Sequence, residues 1–119
     1  MTYKELLLSP NWQKKRLEIL NRDNFTCQLC FCTMKTLHVH HLRYKNGLLP
    51  WEYENTNFKT LCHLCHKEEE KNKKIFNDLV ESLLYKDIPY SELIDSLLDL
   101  EAYYTEMTSE INEHNNKSL

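Results

Sequence analysis

Two cysteine pairs, Cys27-x-x-Cys30 and Cys62-x-x-Cys65, constrain this chain more than any other feature. Thiolates two residues apart can both reach one tetrahedral metal if the backbone turns tightly between them, and a second pair supplies the other half of the shell. Closing such a site brings residues 27–30 against residues 62–65 and turns everything between them into a tethered loop. We therefore expect a structural zinc ion on Cys27, Cys30, Cys62 and Cys65. A disulfide framework fits less well, because the chain has 5 cysteines, an odd number. Cys32 is the leftover, read as a small buried hydrophobe or an idle thiol. Its alternative role is to replace Cys30 as a ligand if the turn is shifted.

The tethered loop carries Leu37-His38-Val39-His40-His41-Leu42-Arg43-Tyr44, three histidines in four positions. Read as a strand from Leu37 to Tyr44, it puts Leu37, Val39, His41 and Arg43 on one face and His38, His40, Leu42 and Tyr44 on the other. His40 and His41 then diverge, so that one imidazole can ligate a metal while its neighbour faces a reacting water. Lys45-Asn46-Gly47 is a turn, and Leu48–Thr56 an irregular loop with Pro50, Trp51 and Tyr53 as packing anchors. Asn57–Leu61 reads as a short return strand. A helix starts near His63, with His66 in its first turn.

Before the first cysteine pair, Ser9-Pro10 is a helix start, a serine cap followed by proline at the first helical position. That helix runs to about Arg22, with Trp12, Leu17, Ile19 and Leu20 as its apolar residues. Lys14, Lys15 and Arg16 form a basic cluster, read either as a solvated face or as phosphate contacts. Arg43 and Lys45, beside the histidines, are counted with them as nucleic-acid-binding residues. Charge is divided along the chain. Residues 1–75 carry 13 Lys/Arg against 8 Asp/Glu, a balance of +5, and residues 76–119 carry 2 against 10, a balance of −8. The cationic part is the one suited to a polyanion.

Beyond Lys71 the helix continues to about Lys86, and Asp87-Ile88-Pro89 ends it. Ser91 is read as the cap of a second helix to about Asn112. There Leu93, Leu97, Leu100, Tyr104, Met107 and Ile111 form a heptad-like stripe. The stripe serves an antiparallel hairpin, self-association, or a protein partner. No apolar run approaches membrane-spanning length, and Met1–Glu5 lacks the basic flank and apolar block of a secretory leader. The expectation is a cytoplasmic protein with no membrane contact.

Residues 10–74 resemble the HNH endonucleases of the ββα-metal type. The resemblance rests on Val39-His40-His41, Asn57 five positions before Cys62, and Cys62-x-x-Cys65-His66. The two cysteine pairs match the subclass with a zinc knuckle beside the active site. The resemblance implies a small ββα-metal core with the knuckle, and with the N-terminal helix and the C-terminal helical hairpin read above the expected fold is α+β. Two parts are expected, a nuclease domain at 1–74 and an acidic helical extension at 75–119, to which the resemblance does not extend. The resemblance implies that His41 is the general base and that Asn57 orders the loop and the base. It also implies that His40 and His66 hold one divalent cation, Mg²⁺, Mn²⁺, Ni²⁺ or Zn²⁺. The implied substrate is DNA, with RNA also open. The chain departs from the family at Phe31, where glycine often follows the second cysteine, and at His40, where many members have Asp. Two other classes compete: a non-catalytic zinc-bound nucleic-acid-binding module, which needs neither His41 nor His66, and an adaptor built on the acidic helices, which predicts no nucleic-acid affinity.

Overall fold

The computed structural model describes residues 1–117. Among them the fold is mixed α+β, with four α-helices and one two-stranded antiparallel sheet. The chain divides into two compact units, Met1–Lys73 and Lys74–Leu119. No described helix is long and apolar enough to cross a membrane.

The first unit opens with α1 (Tyr3–Leu6), a single turn outside the elements expected from sequence. Its signal is Thr2-x-x-Glu5, a reciprocal cap in which the Glu5 N–H donates to Thr2 Oγ1 and the Thr2 N–H to the Glu5 carboxylate. α2 (Pro10–Arg22) starts as expected, with the Asn11 N–H donating to Ser9 Oγ. It buries Trp12, Ile19 and Leu20, seven and eight residues apart and so on one helical face. Leu17, counted above with the apolar residues, faces solvent instead.

β1 (Leu37–His41) pairs with β2 (Phe58–Cys62), with Leu37 opposite Cys62 and His41 opposite Phe58. β1 is three residues shorter than expected. The pairing ends where the Leu42 N–H donates to the Asn57 carbonyl at 2.8 Å, and the chain then departs into the loop. β2 is shifted one residue later than expected, and a 3-10 turn, Asn55–Asn57, leads into it. A two-stranded sheet is marginal in water, so α2 covers it. Trp12 and Ile19 meet Phe58 and Tyr53 in one cluster, and Cys27, Leu61 and Cys62 form a second. Fully burying a side chain such as Ile19 or Leu61 contributes about 1.5–3 kcal/mol.

The end of α2 is tied to the sheet by charge. Arg22 donates to the carbonyls of Asn55 at 2.6 Å and Phe58 at 2.7 Å, and it pairs with Asp23. Asp23 Oδ2 in turn accepts the Thr60 N–H at 3.0 Å. These bonds aim β2 at the cysteine turn. α3 begins at His63, directly after β2, and runs to Tyr85.

The second unit holds the end of α3 and α4 (Tyr90–Lys117). Ile88 N–H bonds back to the Leu83 carbonyl and Asp87 N–H to that of Leu84, with Asp87 at φ 57°. That left-handed residue closes the helix, and Pro89 follows it. Ser91 is not the cap of α4: the helix starts one residue earlier, and the Pro89 carbonyl accepts the N–H groups of Glu92 and Leu93. α4 also runs five residues past Asn112, because nothing in Asn112–Lys117 breaks a helix.

Candidate functional site

The two cysteine turns meet as their spacing requires. The Sγ atoms of Cys27, Cys30, Cys62 and Cys65 all lie within 4.8 Å of one another, and those of Cys30 and Cys62 are 3.8 Å apart. Four thiolates about 2.3 Å from one zinc ion have sulfur–sulfur edges of about 3.8 Å, so the set is already near tetrahedral size. Cys27 and Cys62 are buried, each at a strand or turn packed against Leu61. The Cys30 N–H points at Cys27 Sγ (3.5 Å) and the Cys65 N–H at Cys62 Sγ (3.4 Å), the same backbone turn used twice.

Burial opposes ionisation of Cys27, yet the backbone N–H groups of Cys30, Cys62 and Leu29 bring its thiol down to about 6. Cys65 is pushed up to about 12, first by its neighbour Cys62 and then by burial. Four sulfurs this close cannot all carry charge without a cation between them. Cys32 sits outside the set, half-buried against the same apolar cluster, and Cys30 keeps the ligand position. Among the described residues, no other group of three or more His, Cys, Asp or Glu gathers its ligand atoms this tightly.

Phe31 closes the first cysteine turn at φ 62°, its N–H donating to the Cys27 carbonyl at 2.9 Å. A left-handed backbone costs a side-chain-bearing residue roughly 1–2 kcal/mol, and glycine avoids it at about 0.5–1 kcal/mol of chain entropy. Phe31 is 73% exposed and forfeits little packing. We expect Phe31→Gly to stabilise the zinc-loaded protein by about 0.5–1 kcal/mol, measured by urea unfolding; a destabilised variant would mean that the ring is needed.

The histidines lie on both faces of β1: His41 meets Trp12 of α2, and His38 and His40 meet His66 of α3. His41 is 4% exposed, stacked between Trp12 (centroids 5.2 Å) and Tyr44 (4.9 Å) with Phe58 at 4.7 Å. Its Nε2 lies 2.9 Å from the Pro50 carbonyl oxygen. A carbonyl only accepts, so Nε2 carries the proton and Nδ1 keeps its lone pair. Burial lowers the His41 pKa and the Pro50 bond partly offsets this. His38 and His40 are also lowered, first by burial and next by His66. All three are therefore neutral at physiological pH, the form that ligates metal or takes a proton.

His41 lines a cavity of about 260 Å³ with Arg16, His38, Tyr44, His66 and Glu70. His66 stands between two strand histidines, with ring centroids 5.1 Å from His40 and 5.4 Å from His38. Two imidazoles sharing one ion at about 2.1 Å have centroids roughly 4.6–5.3 Å apart, a range that includes the His40–His66 separation of 5.1 Å. Glu70 Oε1 lies 3.7 Å from His66 Nε2, one helical turn on.

His38, which is not counted among the expected site residues, also stacks on His66. His38 and His40 share a strand face, and that spacing was the signal. Asn57 does not reach the His41 ring. Its Nδ2 donates to the Arg43 carbonyl at 2.9 Å, so it clamps the loop that carries Pro50. The basic cluster is divided: Lys15 donates to Asn55 Oδ1 and lies over the Phe58 ring, while Arg16 turns to the Leu37 carbonyl and the histidine cavity. Arg43 and Lys45 instead edge an open groove of about 750 Å³ with Glu52, Glu54 and Asn57.

What the arrangement can do chemically is hold one ion on the four sulfurs, while the imidazoles of His38, His40 and His66 cluster apart from them and His41 is buried and neutral. Comparison of the chain with family profiles, with curated proteins and with solved structures returns no match.

Proposed function

We propose that this chain is a small metal-dependent endonuclease of the HNH type, cutting phosphodiester bonds in DNA. In this reading β1, β2 and the start of α3 serve as the ββα-metal core, and the four cysteines hold a structural zinc beside it. The observation that carries the reading is the state of His41: a buried imidazole with Nε2 committed to a backbone carbonyl, lining a cavity together with His66. A histidine kept only for packing has no need of a fixed tautomer beside two more imidazoles.

His41 Nδ1 takes a proton from water as the water oxygen bonds to phosphorus and the bridging P–O bond breaks. A divalent cation on His40 and His66, when bound, supplies Lewis-acid stabilisation of the phosphate and of the departing oxygen. Arg16 extends its guanidinium toward the same cavity, suited to a non-bridging phosphate oxygen. Asn57 and Pro50 hold the loop so that the base keeps its orientation. Arg43 and Lys45 contact the flanking backbone.

One observation favours a non-catalytic zinc-bound nucleic-acid-binding module instead: among the described residues, the four cysteines are the one tightly gathered donor set. The test is supercoiled plasmid incubated with zinc-loaded protein and added Mg²⁺ or Mn²⁺. Nicked and linear products support the endonuclease. Intact plasmid under every ion, with a retained mobility shift, selects the binding module; neither cutting nor shift removes DNA as the partner.

A further inference from the structure

The second unit has no buried residue among those described, yet it carries much of the molecule's apolar side-chain surface. Leu97, Leu100, Tyr103, Tyr104, Met107 and Ile111 of α4 are 54%, 52%, 57%, 59%, 37% and 54% exposed. An apolar groove of about 270 Å³ between α3 and α4 reaches from Phe76, Val80 and Leu83 to Leu93 and Leu97, and no farther along α4. The reason is length. Within this unit α3 supplies only residues 74–85, about 18 Å of helix at 1.5 Å per residue, whereas the 28 residues of α4 span about 42 Å. The second half of the stripe has no companion in its own unit. A bare helix of this kind does not offset its own ordering entropy in water.

We propose that a second copy of this chain covers the stripe, the two α4 helices pairing through Leu97, Leu100, Tyr104, Met107 and Ile111. The five seam side chains are each 37–59% exposed, and with a polar rim around them they form the apolar centre of an interface whose standard size is about 800 Å² per partner.

Charge selects the occupant. At about 100° per residue, Asp95, Asp99, Glu106 and Glu113 lie 120° or more around α4 from the stripe. The positions closer in are mostly neutral: Ile94, Ser96, Tyr103 and Thr108, with Glu101 and Glu110 the exceptions. A basic partner helix would call for acids all along both margins of the seam. With most acids turned to the outer face, two copies meet with few opposed like charges, despite the −8 balance of residues 76–119.

The test is sedimentation equilibrium of the full zinc-loaded chain under reductant. The expected result is twice the 14.4 kDa chain mass, falling toward one chain on dilution, with a melting temperature that rises with concentration. Tyr104→Asp with Met107→Asp, at the middle of the stripe, is expected to weaken association at least 100-fold while the zinc content stays at one per chain. Thr105→Asp, off the stripe, is expected to leave it unchanged and serves as the control. The dilution series on wild type is independent of whether the double variant folds. A wild type that is monomeric at 100 µM overturns the proposal and points to a different occupant. So does a dimer that survives the double variant, or one that Thr105→Asp breaks equally. Plasmid cleavage does not enter these readouts, so the proposal stands or falls apart from the nuclease reading.

Discussion

Stripping metal from the four-cysteine site is expected to unfold the first unit. Metal content should start at one zinc per chain, and a strong chelator should remove it together with the helical signal and the native fluorescence of buried Trp12. The magnitude follows from two figures. Structural zinc binding is worth about 10–16 kcal/mol near neutral pH, whereas a domain of this size has about 5–15 kcal/mol of net stability. The apolar core does not make up the difference. One of its two clusters consists of Cys27, Leu61 and Cys62, so two of its three members are metal ligands. Without a cation, the readily ionised Cys27 and Cys62 stand against Cys30, which resists ionisation, and Cys65, pushed up to about 12. Cys30→Ser should lose most of the zinc, and Cys32→Ser should keep one equivalent at a cost below about 1 kcal/mol, since Cys32 only packs against the cluster. A zinc-free protein that melts at the holo temperature would show that the core stands alone.

His41→Ala is expected to lower plasmid cleavage by a factor of about 10²–10⁴, the usual contribution of a positioned general base. The variant opens the stacked space between Trp12 and Tyr44, so zinc content and helicity must be checked in the same samples. Because the removed group is an imidazole in a site already open to a cavity, added free imidazole should restore part of the rate. Rescue distinguishes lost chemistry from lost folding. The pH dependence has a definite sign. The base acts when neutral, and burial lowers its pKa below the ordinary histidine value. The kcat/KM profile of the wild type should therefore stay level through neutrality and fall only below about pH 6.5, with that acid limb absent in His41→Ala. Cleavage unaffected by the substitution would remove His41 as the base.

Local rules made much of this protein legible. Ser9-Pro10 marks the start of α2, because a serine cap and a fixed proline φ are local facts. The Cys-x-x-Cys spacing determines that Cys27 and Cys30 turn toward each other, and likewise Cys62 and Cys65. Alternation along β1 separates His41 from His40 before any coordinates are known. What lay outside local reach were the partners. That Pro50 is the carbonyl holding His41 depends on a loop path of nine residues, and no short-range rule predicts it. The strand ends at His41 rather than Tyr44 because the segment before Phe58 is the 3-10 turn Asn55–Asn57, which leaves no extended backbone to pair with. Lys15 and Arg16 look alike in sequence, yet adjacent helical positions point about 100° apart, and only the packing of α2 on the sheet sends one to Asn55 and the other to the histidines. His38 joins His66 for the same reason: a strand residue's face is set by its period of two, but what stands opposite that face is set by where α3 is anchored. The sequence by itself determined which residues could bind metal and which could lie on one face. The tertiary structure alone decided which of them meet, because a meeting between residues far apart along the chain depends on how every element between them packs.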